Sequence, residues 1–308
     1  MSAKHLIRAR PLYTSVRTKS IKSFLFFFGV FLFAFFLQQK EISSYFLPWT
    51  SKDFIIWIFD VGQADAIFLQ TPEGKQILLD AGGDSQILSK IGQVLPIWDR
   101  TIDVFISTHP DADHLTGAIS VLESYKVKTI FESGAKSNEP VQESFYKIIR
   151  EQNIPTHYLL GGDTFWFDGI KFEVLAPDRA VYGKYLKDTN EASVVLLVTY
   201  GETSILFTGD LPIEAESQIL SDINMPVDIL KVPHHGSRFA TSPMLLDRIC
   251  PNTAIISVGT NSYGHPHPVV LERLQNKGVK IFRTDQDGDI LIKSDATNLV
   301  IYASPLFF

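Results

Sequence analysis

Residues 104–114 read Val-Phe-Ile-Ser-Thr-His109-Pro-Asp111-Ala-Asp113-His114. An apolar, strand-like run ends at a histidine, and two acids and a second histidine follow at once. In an extended connection, positions 109, 111 and 113 point to one side. His114 joins them from the start of a helical pattern over Asp113–Glu123. Potential donors therefore converge within one short loop. Imidazole nitrogen and carboxylate oxygen are the donors that divalent metals use.

The other histidines reinforce this reading. Of the eight in the chain, His109/His114, His234/His235 and His265/His267 form close pairs, leaving only His5 and His157, read as structural or solvated. His234-His235-Gly-Ser237 follows the apolar run Asp-Ile-Leu-Lys-Val, and Phe-Thr-Gly-Asp210 ends another. Gly209 permits a close backbone approach, and Asp210 at a strand end can bridge two metals. Adjacent side chains diverge, so one histidine of the 234/235 pair is expected at metal and the other at substrate or a supporting partner.

Around these loops the chain reads as alternating strands and helices. Strands are expected at Phe54–Asp60, Asp65–Gln70, Gln76–Asp80, Val104–Thr108, Ile170–Leu175, Val194–Thr199, Ser204–Thr208, Val227–Val232 and Ala254–Val258. Helices are expected at Gln86–Leu95, Asp113–Glu123, Val141–Glu151, Ile213–Leu220, Pro243–Arg248 and Pro268–Asn276. Such alternation predicts an α/β layered domain. Lys75–Gly83 (KQILLDAGG) and Glu202–Asp210 (ETSILFTGD) each follow a glycine turn after an apolar strand, which suggests two similar halves.

Charge divides the chain. It has 308 residues and a net charge of −6, with one cysteine, Cys250, which excludes an internal disulfide. Residues 1–50 carry seven bases and the single acid Glu41, so they hold +6 and the remainder −12. After the basic arm, Phe24–Leu37 (FLFFFGVFLFAFFL) has no polar residue. As a helix it covers ~21 Å, and flanking residues with snorkelling Lys22 and Lys40 extend it towards a bilayer span. The expected organisation is a basic cytoplasmic arm (1–22), a membrane anchor (23–40), a linker (41–52) and a catalytic body (53–308) outside the cytoplasm by the positive-inside rule. A cleaved signal leading to secretion is the alternative, although no small-x-small site follows the apolar run.

Together, His109-x-Asp111-x-Asp113-His114, Thr-Gly-Asp210 and Lys231-Val-Pro-His234-His235-Gly-Ser resemble the metallo-β-lactamase superfamily. Asp60-Val-Gly-Gln-Ala-Asp65, Leu79-Asp80-Ala-Gly, Asn190-x-x-Ser193 and Asn261-x-Tyr-Gly-His265-Pro-His267-Pro are similar to the hydrolase domain of ComEC-type DNA-uptake proteins. The likeness covers roughly residues 53–293, and its motifs occur in order. It implies an α/β fold, a four-layer αββα sandwich here preceded by a single N-terminal transmembrane helix, and two divalent metal ions, Zn or Mn. Asp113, His114, Asp210 and a histidine of the 234/235 pair, His235 being favoured, would hold one metal. His109, Asp111 and shared Asp210 would hold the other. Asp80 would steady the His109–His114 loop, with Asp65 in a similar supporting role. Gln63, Asn190, His234 and Ser237 would bind substrate, while Asp113, His265 and His267 would be catalytic. Asp111 and Asn190 stand where histidines are common in the superfamily, a hardening of the site that favours Mn²⁺ over Zn²⁺. Ala64 stands where the ComEC-type group usually has glycine.

The implied function is a membrane-anchored, dinuclear metal-dependent hydrolase, a phosphodiesterase acting on DNA or another external phosphodiester. A β-lactamase or lactonase on the same fold, or a non-catalytic surface binding protein, are the alternatives. A body at −12 lacks the basic footprint of tight polyanion binding, leaving contacts to the metals and a few bases such as Lys231 and Arg238. The chain also lacks the many apolar spans of a DNA channel.

Overall fold

Runs such as Phe54–Ile58 and Gln76–Ala81 are buried at every position. A strand tolerates this only where both faces of its sheet are covered. The computed structural model describes residues 52–303 and meets that demand with two sheets lying between outer helices. The expected arm and anchor, and all but the last residue of the linker, lie outside the described residues. Among the described residues no helix is long and apolar enough to cross a membrane.

The first sheet comprises β1 (Phe54–Ile58), β2 (Ala66–Gln70), β3 (Gln76–Ala81), β4 (Thr101–Ser107), β5 (Lys126–Glu132) and β6 (Thr156–Tyr158), with β14 (Ile290–Ser294) and β15 (Leu299–Ala303) returning beside β1. Its order is β15-β14-β1-β2-β3-β4-β5-β6. The second sheet comprises β7 (Thr164–Phe167), β8 (Ile170–Ala176), β9 (Val195–Tyr200), β10 (Thr203–Phe207), β11 (Ile229–Lys231), β12 (Thr253–Ile256) and β13 (Lys280–Arg283) in the order β13-β12-β11-β10-β9-β8-β7. Helices α1 (Gln86–Val94), α2 (Ala112–Ser124) and α3 (Pro140–Gln152) belong to the first half. Helices α4 (Pro243–Ile249), α5 (Pro268–Asn276) and the short α6 (Thr284–Asp287) belong to the second.

Side-chain alternation assigns the layers. Phe54, Ile56 and Ile58 of β1 join Phe172, Leu196 and Phe207 in a core between the sheets. Ile55 and Trp57 point the other way and pack with Leu115, Val121 and Phe145 of α2 and α3. Leu206 and Leu230 meet Leu245, Leu246 and Leu274 of α4 and α5 on the far side. Three apolar cores thus separate four layers, αββα.

The halves repeat one plan. Hairpin β2–β3 turns near Gly74 and hairpin β9–β10 turns at Gly201, each strand pair antiparallel. Each hairpin continues into parallel strands, β3-β4-β5-β6 and β10-β11-β12-β13. The similar segments 75–83 and 202–210 therefore occupy matching places, and Gly82 and Gly209 share positive φ, 75° and 50°. The carboxyl ends of these parallel strands, where α/β sheets bind ligands, carry Asp80, the His109–His114 loop, Asp210 and the His234–His235 turn.

Two sequence expectations need correction. Ile213–Leu220 is not a helix but a set of turns around a 3₁₀ segment, Glu216–Gln218. It is drawn into tertiary bonds, Ile213 N–H donating to the Phe239 carbonyl and the buried Glu216 carboxylate accepting from Ser242 N–H. Conversely, β5 was not anticipated because Lys126 and Lys128 break its apolar run. They are its exposed positions beside buried Val127 and Ile130.

Candidate metal centre

Asp80, just before the end of β3, organises the first half of the site. It accepts hydrogen bonds from Thr108 N–H (2.8 Å), Thr108 Oγ1 (2.7 Å) and His114 Nδ1 (2.8 Å). Its own backbone is left-handed, φ 54°. So are His234 and His235, both at φ 52°. Non-glycine residues held there store about 1–3 kcal/mol each, and such strain gathers at functional sites. The helix bearing His114 is pressed against β3 through Gly117, whose N–H donates to the Gly82 carbonyl at 2.9 Å. A Cβ at Gly117 would sit 1.9 Å from the Ala81 carbonyl oxygen.

The three buried imidazoles are all pinned through Nδ1. His114 Nδ1 donates to the Asp80 carboxylate and His235 Nδ1 to the Ser257 carbonyl, 2.9 Å away. Thr108 Oγ1 has given its proton to Asp80, so it accepts from His109 Nδ1 at 2.9 Å. In each ring Nδ1 is thus occupied, and the three Nε2 atoms face the site. Carboxylates face them there. His114 Nε2 lies 3.5 Å from Asp210 Oδ1 and 3.9 Å from Asp113 Oδ2. His235 Nε2 lies 3.3 Å from Asp113 Oδ2 and 3.8 Å from Asp210 Oδ2. His109 Nε2 lies 3.7 Å from Asp111 Oδ2.

Of these nitrogens, His235 Nε2 hydrogen-bonds to Asp113 Oδ2. His109 Nε2, His114 Nε2 and Asp210 Oδ1 are buried without a hydrogen-bond partner, a state that calls for an ion. Asp113, His114, Asp210 and His235 each place one donor atom within 4.8 Å of the others. Donors around a four-coordinate ion at ~2.0–2.2 Å stand roughly 3.3–3.6 Å apart, close to the spacing found. The residues fit a divalent metal.

Electrostatics carries the same demand for positive charge. Burial disfavours a protonated His114, yet Asp210 and Asp80 hold it well above the usual histidine range. His235 is raised against its burial by Asp210 and the hydrogen bond to Asp113. Burial acts to raise Asp113, but the His235 hydrogen bond and the His114 charge bring it down to about 2. Asp210 falls well below the carboxylate range against its burial, through His114 and His235. His109 is pushed down to about 4 by burial and the His114 charge, which outweigh the raising effect of Asp210, Asp80 and Asp113.

The structure brings the expected residues together unequally. Asp113, His114, Asp210 and His235 form one donor cluster, while His109 and Asp111 stand outside it, 3.7 Å from each other. Within the described residues only His235 of its pair enters the four-residue cluster; the His234 ring diverges by 78° and puts Nε2 3.8 Å from Asp210 Oδ2. Gln63, His234 and His265 line a cavity of about 450 Å³ over the cluster, and Gln63 Oε1 accepts from Gly259 N–H. His265 is half-buried, with Nδ1 unpartnered, and burial together with His234 lowers it to about 4. His267 and Ser237 line a neighbouring cavity instead, where His267 Nδ1 caps α5 by accepting from Val269 N–H at 3.2 Å. Asn190 lines neither cavity; its backbone carbonyl takes the Ser193 N–H, while Ser193 Oγ accepts from Asp210 N–H.

Lys231 departs from expectation. Its side chain is 1% exposed and donates to Asp65 Oδ2 at 2.8 Å, so it is unavailable to a substrate. Sequence reasoning also missed Thr108, Ser257 and Thr189, which fix His109, His235 and Asp111. Thr108 was open to discovery as the last residue before His109. Ser257 lies distant in sequence and had no signal.

The metallo-beta-lactamase superfamily model matches residues 59–259, from the end of β1 to beyond β12. The chain belongs to the metallo-beta-lactamase superfamily. Within that superfamily it is 31% identical to ComE operon protein 3 of Bacillus subtilis, over 79% of this chain and 33% of that protein. It is 32% identical to Recombination protein 2 of Haemophilus influenzae, over 86% and 31%, and 28% identical to competence protein ComA of Neisseria gonorrhoeae, over 76% and 31%. The chain spans about a third of the length of these curated relatives. Among solved structures, the metallo-beta-lactamase fold protein YhfI from Bacillus subtilis matches with a TM-score of 0.55 at 11% identity, over 79% of this chain and all of that one.

Proposed function

We propose that this chain is a membrane-anchored, dinuclear metal-dependent phosphodiesterase acting on DNA or another extracytoplasmic phosphodiester. The observation that carries the proposal is the arrangement of three buried Nε2 atoms within 3.3–3.7 Å of Asp111, Asp113 and Asp210. Asp113, His114, Asp210 and His235 would hold one ion; His109, Asp111 and Asp210 the other. The bound ions would supply Lewis acidity for the phosphoryl oxygens and a lowered pKa for a nucleophilic water. Asp111 in place of an imidazole makes the second set richer in oxygen, which favours Mn²⁺.

The chain's own residues do the rest. Asp113, ionised at neutral pH and 40% exposed towards the cavity, orients an attacking water by accepting its hydrogen bond. Neutral His265, in the wall of the same cavity, is placed to contact a phosphoryl oxygen. His234, its imidazole partly open, lines the same wall as a substrate contact. The similarity to competence proteins supports DNA among the candidate phosphodiesters, and the apolar run 24–37 supports the anchor.

The test is metal analysis of the purified full chain, followed by hydrolysis of bis-p-nitrophenyl phosphate and nitrocefin with added Mn²⁺ or Zn²⁺. Metal-dependent cleavage of the phosphodiester alone, abolished by Asp113→Ala, is the expected result. Undiminished activity in that variant, or cleavage of nitrocefin only, refutes the reading.

A further inference from the structure

The turn after His235 and the loop after β12 enclose a second cavity of about 740 Å³. It adjoins the cavity over the metal centre, because His234, Tyr263 and His265 line both. Its size lies within the ~300–1,000 Å³ usual for ligand sites. Its outer wall differs in kind from the metal centre. Tyr263 is 74% exposed and Phe239 55% exposed, although each could bury apolar area in a core. The Arg238 guanidinium lies 4.5 Å from the Phe239 ring centroid. The Tyr263 ring stands 5.8 Å from that of His265, their planes 30° apart. Flat, solvent-facing π-surfaces thus flank the place where a phosphodiester would meet the metal centre.

Charge narrows what such a wall can bind. With residues 51–308 at −12, recognition of a polyanion by many phosphate contacts is disfavoured. Stacking on aromatic rings needs no net positive charge and contributes about 5- to 150-fold in affinity per base. A cation held against an aromatic ring adds to this.

We propose that Tyr263 and Phe239, with Arg238, form a stacking subsite for a nucleobase next to the phosphodiester presented to the metal centre. This rests on the phosphodiesterase reading and sharpens it: the substrate is a nucleoside phosphodiester rather than a polyol phosphate. One adjoining base, rather than a long run of phosphates, sets affinity.

The experiment compares thymidine trinucleotide with its abasic tetrahydrofuran counterpart of equal charge, using the full chain loaded with Mn²⁺. The wild type is expected to favour the base-bearing trimer at least 10-fold in kcat/KM, mainly through KM. In Tyr263→Ala/Phe239→Ala that ratio falls to near one, and Tyr263→Trp restores it. Metal content of each variant is measured in parallel, so that a folding defect is not mistaken for lost stacking. Equal cleavage of both trimers by the wild type, or an unchanged ratio in the metal-replete double variant, overturns the subsite and leaves the phosphodiesterase reading intact. No cleavage of either trimer or of bis-p-nitrophenyl phosphate overturns both.

Discussion

Replacing Lys231 by methionine removes one charge from a buried pair and keeps nearly all of the side-chain volume. Lys231 Nζ lies 2.8 Å from Asp65 Oδ2 and 3.1 Å from the Val232 carbonyl, and both side chains are at most 3% exposed. The pair crosses the molecule, since Lys231 ends β11 of the second sheet and Asp65 precedes β2 of the first. Burial acts to raise the Asp65 carboxyl, but the Lys231 charge and then His235 hold it below the usual range. A depressed folded-state pKa means stability present above the unfolded value near 4 and lost as pH falls through the folded one. In Lys231→Met an uncompensated carboxylate stays buried, at a cost of about 3–5 kcal/mol. For a domain of this size that lowers Tm by roughly 6–20 °C. Removing both charges is often neutral, so Asp65→Leu/Lys231→Met should recover most of the loss. Urea unfolding of the two single variants and the double variant at pH 7 measures the coupling. A Lys231→Met penalty under about 1 kcal/mol, or single penalties that simply add, refutes the reasoning.

Other perturbations probe separate links. Burial raises Glu132 to about 7 against the hydrogen bond from Tyr146. A raised acid destabilises the fold progressively between the unfolded value near 4.5 and pH 7, reaching about 3 kcal/mol. Glu132→Gln should therefore match wild type in urea melts at pH 4 and exceed it at pH 8; no gain at pH 8 contradicts this. Gly117→Ala forces a Cβ onto the Ala81 carbonyl, and overpacking of this kind costs about 1–3 kcal/mol. It should also reduce bound metal by displacing His114, as metal analysis would show. Asp80→Asn removes the carboxylate that fixes the His114 tautomer, so metal affinity should fall about 10- to 100-fold in a competition titration. Unaltered affinity would show that Thr108 and packing suffice. His235→Ala should lose metal where His234→Ala retains it, by the same analysis.

The legible parts of this protein were those whose signals are local. The His109–His114 loop spelled out its donors, and unbroken apolar runs such as Phe54–Ile58 implied sheets covered on both faces. The glycine turns at 74 and 201 exposed the duplicated plan. Strands whose outward positions carry lysine, such as β5, and the returning hairpin β14–β15 depend on partners far along the chain. The same holds within the site. Asp80 could be named from its motif, but Ser257 and Thr189 act through contacts 22 and 78 residues away. Lys231 was named as a base for substrate contacts, whereas it is buried against a partner 166 residues upstream.

The division of the cluster between the halves has a consequence for the order of events during synthesis. Asp113 and His114 emerge about a hundred residues before Asp210, and His235 later still. Each half contributes only two of these four donors, too few to retain an ion firmly. Firm retention of an ion would therefore need both halves, and a bound ion would act as a clasp between them. By mass action it adds about 2.7 kcal/mol to their union at a hundredfold excess over Kd. Chelators should accordingly loosen the seam between the halves as well as silence the chemistry.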